Sequence, residues 1–427
     1  MLIKNLDKFL IKFTIIIVLA SVIVFPQLKL IGLYFTGMDY LFYFLFLITF
    51  LLKGKIKYDK KVIIKLYLIS LIAVVSLMKS NYIQNYFLSF LGFLIILLPF
   101  FTYIAFYNIN ITKKKLIKLF KQIQIIIFLI SISVFINFIL GRTNLYGAPY
   151  TITKDFGFAA TLFNVNIIIS LVVYSNKKSN KHIYVIVLSF LAILLISALK
   201  SIFMSLIILL YYFSSKDINK YIKKVIYVAV ISFFFVIASS NQFIKDKITT
   251  YITIYVISDN PLEIARTATY LASARIAADH FPFGAGPGTF GSYPVLMTYN
   301  DLYHDYNLSG VWGLQEENLK DPDLPTFLLD TYWSSPLAET GIIGVIVLLL
   351  FYFHPLRKIN KLIKANNFQD LVLLKSLKFY VFSIAMVLFF ENLTLSSLNQ
   401  VSIIIIYFGF SGLIITFIKK ENEDTSN

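Results

Sequence analysis

The length of its apolar runs most narrows what this chain can fold into. "FTIIIVLASVIVF", "YLFYFLFLITFLL" and "LGFLIILLPFFTYIAF" approach the roughly 20 residues that carry a helix across a bilayer, and such runs recur along the 427 residues. A water-soluble core accounts for one or two of them, not for a dozen. Hydrophobic residues make up 58% of the chain and charged residues 14%, a balance that points to an integral membrane protein. The absence of Cys excludes disulfides, thiolate metal sites and cysteine nucleophiles. The net charge of +17 resembles a nucleic-acid footprint, but most lysines sit in short loops between spans. That is how a membrane protein marks its cytoplasmic side, and no nucleic-acid partner is expected.

The span-length rule gives about twelve helices. They are Leu10–Pro26, Lys29–Leu52, Val62–Met78, Tyr82–Tyr107, Gln122–Leu140, Gly157–Tyr174, Ile183–Leu199, Ser201–Phe213, Val225–Ser239, Pro336–Phe353, Leu377–Phe390 and Val401–Ile418. The first run has a basic start but no small-x-small cleavage site before Pro26, so it reads as a span rather than a signal peptide. "KGKIKYDKK", "TKKKLIKLFK", "NKKSNK", "KDINKYIKK" and "RKINKLIK" are strongly basic. All of them fall on one side if both termini are cytoplasmic. The expected fold is all-α and polytopic: nine helices over 1–240, a large extracytoplasmic loop over 241–334, three helices over 335–420 and a cytoplasmic tail at 421–427.

The long loop inverts the charge. Asn241 to Trp333 holds five basic residues against eleven acids, a net −6, which places it outside. Within it, "PLEIARTATYLASARIAADH" reads as a helix, with Pro261 near its start and Glu263 in the first turn. "DHFPFGAGPGTFGSY" then stops that helix with four glycines and two prolines. Arg266 and Arg275 are nine positions apart, half a turn out of phase at ~100° per residue. Arg275 precedes Asp279 by four residues, the spacing of a helix surface pair. Arg266 has no acid at i+4, only Tyr270, and is read as aimed at a partner elsewhere.

Asp330 and Glu339 bracket the start of the tenth helix, where carboxylates serve as bases, bind cations or remain solvated. Gly341 and Gly344 form a small-residue face suited to close helix packing. Tyr332 and Trp333 fit an interfacial aromatic belt. Asp39, Lys200 and Glu391 lie within or at the ends of spans, and intramembrane charge points to function, although Lys200 is also placed to snorkel. "GAGPG" lacks the Lys-Ser/Thr of a phosphate loop. His280 and His304 lack metal-ligand spacing, and no metal or cofactor is expected.

The order of these features resembles a family. Many spans precede one large loop carrying an arginine and "FPFGAGPGTF", and "LAETGIIG" heads the next helix. This is similar to the O-antigen polymerase and O-antigen ligase superfamily, a GT-C-like membrane architecture, with the specific motifs confined to Arg266–Gly344. The resemblance assigns the loop arginine to Arg266, with Tyr270 where an aromatic follows it. It matches an arginine and a glycine with ten residues between them to Arg275 and Gly286, in the stretch that also holds Gly284. An earlier loop arginine corresponds to Arg142 in "GRTNLYGAPY", and a Ser-Arg helix junction to "ALKS" with Lys200. Where the ligases carry a histidine, this chain has Asp330. That departure favours a polymerase of the O-antigen, capsule or exopolysaccharide type.

The resemblance implies transfer of a glycan from a polyprenyl diphosphate to a sugar hydroxyl on the next lipid-linked repeat unit. Arg266, Arg142 and Arg275 are the candidates for the diphosphate, Asp330 for the base and Glu339 for its reserve. Tyr270, Gly284, Gly286, Lys200 and Trp333 are the candidate substrate contacts, with the glycines expected to let the loop close over both substrates. The implied partners are the lipid-linked oligosaccharide, the bilayer, a chain-length regulator and a flippase. The implied location is the bacterial cytoplasmic membrane. Ligase-type transfer and lipid-linked oligosaccharide transport are the alternatives; transporters favour midplane charges and matched halves.

Overall fold

A computed structural model describes residues 12–13, 15–20, 40, 43–45, 47–48, 57–142, 156–196, 198–214, 264–320, 326–364 and 370–426. The ninth expected span, most of the first two and most of "GRTNLYGAPYTITKD" lie outside them. Every described regular element is a helix. The principal ones are α1 Lys60–Lys79, α2 Tyr86–Tyr107, α3 Lys113–Ile139, α4 Phe156–Lys177, α5 Lys181–Ile196, α6 Leu199–Ser214, α7 Ala265–Asp279, α8 Ser334–Tyr352, α9 His354–Lys364, α10 Leu371–Glu391 and α11 Phe410–Ser426. Among the described residues, seven helices are long and apolar enough to cross a membrane. Ile64, Leu71 and Met78 of α1 are exposed, as suits a helix whose solvent is lipid.

Local chemistry sets the helix ends. The Asp59 side chain caps α1 by accepting from Lys61 N, and Asn85 caps α2 by accepting from Phe87 N and Leu88 N. α2 therefore begins four residues later than the apolar run suggests. α3 begins earlier, because the lysines of "TKKKLIKLFK" continue the helix instead of forming a loop. Leu116, Ile117, Leu119 and Phe120 are buried among them, and lysine is a good helix former whose stem extends along apolar surface. The division at "SALKS" falls between α5 and α6, as expected. "RKINKLIK" is likewise helical, inside α9.

The chain forms two compact units, one of 1–112, 260–367 and 392–427, the other of 113–259 and 368–391. In the second, α4 is almost wholly buried and packs on α3, α5, α6 and α10. Polar side chains join its helices: Gln124 Nε2 donates to Ser170 Oγ at 2.7 Å, and Asn166 Nδ2 to Ser189 Oγ at 2.9 Å.

In the first unit, α8 packs on α1 and α7, and α2 packs on α11. Phe351 stacks between Phe100 (3.7 Å) and Phe408 (5.0 Å). The described part of the expected loop domain belongs to this unit instead of standing apart. Its own core gathers Ile276, Phe290, Tyr303, Leu314 and Leu328.

α8 is not straight. Gly341 adopts φ 66° and ψ −175°, and the rings of Trp333 and Tyr352, at its two ends, lie 5.6 Å apart. A straight helix would separate those positions by about 28 Å, so its two halves fold back at Gly341. The break frees two carbonyls, and the glycine-rich stretch fills the gap: Ala285 N donates to Ala338 O (2.8 Å) and Gly286 N to Glu339 O (3.1 Å). Ser76 Oγ of α1 reaches Glu339 O and Gly284 O, each at 3.0 Å. A Cβ on Gly341 would stand 2.3 Å from Pro282 O, and one on Gly284 would stand 2.5 Å from Gly341 N. A second close approach sets Gly92 of α2 against Gly288, where a Cβ would meet Gly288 N at 2.5 Å.

The glycines therefore make a seam rather than a mobile flap. Residues 284–287 are buried, which overturns the expectation that they let the loop close over substrates. The small-residue face of α8 does pack closely, but Gly341 meets the loop. Gly341→Ala should lower stability in detergent by about 2–4 kcal/mol, through positive φ and the clash. Gly310→Ala, whose added Cβ meets nothing within 4 Å, should be near neutral; thermal unfolding of both variants checks this.

Candidate functional site

Glu339 sits at the seam, buried to 1% exposure. Its Oε1 accepts from Gly288 N (2.9 Å), Phe290 N (3.2 Å) and Ser292 Oγ (2.5 Å). The carboxylate thus gathers the backbone of 288–292 onto α8. Enclosed and committed to three donors, it holds the loop in place and has no open approach for a sugar hydroxyl.

α7 lies against α8. Its buried positions, Ala265, Ala268, Thr269, Ala272, Ser273, Ile276 and Ala277, repeat at helical spacing, and Arg266 and Arg275 flank that face on opposite sides. Arg266, which has no acid at i+4, points at the segment before α8. Its Nε and Nη2 both donate to Asp330 Oδ2, at 3.1 and 2.8 Å. The two side chains remain 31% and 22% exposed, so a solute can reach the pair. Two charged hydrogen bonds from one guanidinium fix its plane.

Tyr270, one turn beyond Arg266, donates to Leu393 O at 2.9 Å. Burial pushes its phenol up to about 12, so it remains a neutral strut. Tyr332 N is shared between Asn392 O and Leu395 O, both at 3.2 Å, and Ser396 Oγ donates to Leu329 O. Arg266, Tyr270, Asp330 and the 392–396 turn are therefore built into one cluster.

The other candidates lie elsewhere. Arg275 is exposed, and the expected pair with Asp279 does not form: Asp279 Oδ2 accepts from Tyr306 OH at 2.9 Å. The phenol wins because the packed loop presents it to the carboxylate, whereas an exposed arginine stays hydrated. Gly284 and Gly286 are buried in the seam, with their amides bonded to His280 O and Glu339 O. This removes them as substrate contacts. Trp333 packs edge-on against Tyr332 and Tyr352. Arg142 and Lys200 belong to the second unit. Arg142 is exposed just past α3, where Gly141 (φ 64°) ends the helix and Arg142 N donates to Asn137 O at 2.9 Å. Lys200 does not simply snorkel: its Nζ lies 2.9 Å from Glu391 Oε2 and donates to Glu391 O at 3.2 Å, while Ser201 Oγ donates to Glu391 Oε1 at 2.5 Å. No group of His, Asp and Glu able to hold a metal occurs among the described residues.

Sequence reading missed one buried ionic cluster. Asp59 Oδ2 lies 3.2 Å from His354 Nε2 and 3.0 Å from Lys358 Nζ, and His354 Nδ1 faces Lys65 Nζ at 3.4 Å. The only signal was an acid and a histidine isolated in basic segments. Burial alone would raise the Asp59 carboxyl, but His354 and Lys358 outweigh it and hold the group below the usual carboxylate range. A depressed folded-state value stabilises the fold above the unfolded-state value and is lost as pH falls below about 4. The stability gap between wild type and Asp59→Asn should therefore close in acid, as unfolding midpoints against pH would show.

Glu339→Ala should strand three donors and cost about 3 kcal/mol, with faster hydrogen exchange at Gly288 and Phe290. Glu339→Gln, which keeps an acceptor oxygen, should lose less. The sequence matches no family model and no curated protein sequence.

Proposed function

We propose that this protein is a membrane glycosyltransferase that polymerises polyprenyl-diphosphate-linked oligosaccharide repeat units into O-antigen, capsular or exopolysaccharide. Its site faces the outer side of the bacterial cytoplasmic membrane, and both termini are cytoplasmic. The Arg266–Asp330 pair carries the reading. It is a half-exposed guanidinium held in plane by a carboxylate, between the Tyr270 strut and the 392–396 turn. Arginine's planar donor fork suits a diphosphate oxygen, and a carboxylate beside it suits an incoming hydroxyl.

In this mechanism the diphosphate of the donor displaces Asp330 from the guanidinium, exchanging one anion for another. The released carboxylate takes the proton of the acceptor hydroxyl as its oxygen bonds to the anomeric carbon. The bond from that carbon to the phosphate oxygen breaks, its electron pair leaves with the diphosphate, and Arg266 stabilises the departing charge. Glu339 acts at one remove, holding 288–292 and the head of α8 so that Asp330 stays in register with α7. Prenyl tails lie among the apolar helices, and a flippase and a chain-length regulator supply substrate and set length. Asp330 in place of a histidine favours polymerisation over ligase-type transfer.

One observation favours a transporter: α8 is broken, as substrate-binding helices of transporters are. Here the break is closed by Ala285, Gly286 and Ser76 instead of lining a cavity, which favours the enzyme. With purified protein and lipid-linked repeat units in detergent, Arg266→Ala and Asp330→Asn should each slow chain growth about 100-fold or more. Because they act on one exchange, the double variant should be little slower than the worse single one. Unchanged growth in both single variants would refute the assignment, and repeat units crossing vesicles without growing would identify a transporter.

A further inference from the structure

α9, "HPLRKINKLIK", continues the chain one residue past α8. At ~100° per residue, Pro355, Leu356, Ile359, Leu362 and Ile363 occupy one sector and Arg357, Asn360, Lys361 and Lys364 the opposite one. Ile359 is buried, Leu356, Leu362 and Ile363 are half-buried, and Arg357, Lys361 and Lys364 are exposed. The exposed cations Lys57, Lys60 and Lys61 stand at the start of α1.

Asp59 joins these two basic segments, 295 positions apart in sequence, through its bonds to His354 and Lys358. His354 Nδ1 faces Lys65 Nζ while its Nε2 and Lys358 Nζ face Asp59 Oδ2, so this carboxylate is engaged within the buried cluster. Among the described residues no acid forms an ion pair with any of the six exposed cations.

Their depth follows from α1. Its 20 residues rise about 30 Å, the thickness of a hydrocarbon core, so Lys60 stands at one boundary of the bilayer. The Asp59 bonds fix the start of α9 at that same boundary. A helix there, with an apolar sector turned inward and unpaired cations on the other face, has the chemistry of an interfacial segment among anionic headgroups.

We propose that Lys57, Lys60, Lys61, Arg357, Lys361 and Lys364 form a docking surface for the phosphates of anionic phospholipids in the surrounding bilayer. The surface lies away from the Arg266 cluster in sequence and holds whatever reaction that cluster performs.

Native mass spectrometry of the full-length protein, titrated in detergent with phosphatidylglycerol or phosphatidylcholine, tests this directly. Phosphatidylglycerol should bind in preference. Arg357→Gln, Lys361→Gln and Lys364→Gln should each weaken it about fivefold, the effect of one surface cation, and the triple variant should lose the preference. All three side chains are exposed, so the variants should elute as wild type does. Lys118→Gln, an exposed cation of α3, should change nothing. Equal retention of the two lipids would overturn the proposal, as would an equal loss in Lys118→Gln, which would mean a response to net charge alone. Displacement of phosphatidylglycerol by inorganic pyrophosphate would assign the surface to a soluble anion and also overturn it.

Discussion

The contact between Gly284 and Gly341 is the constraint on which the first unit depends. A helix broken inside an apolar bundle leaves backbone carbonyls without partners, and lipid cannot satisfy them. Here the loop does so, with the amides of Ala285 and Gly286 and no side chain in the way. The loop in turn gains a platform, because Glu339 emerges from the same break and collects the amides of Gly288 and Phe290. Each partner removes the polar debt of the other, so neither the fold-back of α8 nor the path of 284–292 is stable without its counterpart. The consequence reaches the candidate site. Asp330 precedes α8 and Arg266 sits on α7, which rests on it, so the angle of α8 sets whether guanidinium and carboxylate meet.

Hydropathy made the interiors of the helices legible, because a long apolar run has few alternatives to a buried or lipid-facing helix. It failed at the ends for a definite reason. Lysine is compatible with helix and with interface alike, so the run at 113–121 reads as a loop by charge and as a helix by propensity, and packing of Leu116 and Phe120 decides. Gly341 and Gly344 signalled close helix packing, which holds for Gly344 beside Ile69 of α1, whereas Gly341 meets the loop. The chain turns at Gly341 through a positive φ, and a lone sequence carries no trace of that angle.

The site was legible residue by residue and illegible as a constellation. Arg266 had no acid four residues on and was read as aimed elsewhere; Asp330 stood at a helix head. Their pairing spans 64 positions and depends on the seam, which periodicity cannot see. Arg275 shows the reverse case. Its acid four residues on satisfied the local rule, yet Asp279 was taken by Tyr306, a tertiary contact that a helix wheel cannot anticipate.

The same logic bears on why an ion pair suits the proposed chemistry. A bare arginine at a membrane surface attracts any phosphate, including those of the lipid around it, and would be occupied before the substrate arrives. A resident carboxylate raises the threshold: only an anion that binds better than Asp330 displaces it. A diphosphate, with more charge and more acceptor oxygens than a phosphodiester, meets that condition, and its arrival exposes the carboxylate at the place where an acceptor needs a base. In the proposed reaction the pair would therefore act as a filter before it acts as a catalyst. The cations around α9 carry no such filter, and that difference in partnering separates a surface suited to bulk lipid from one suited to a lipid-linked substrate.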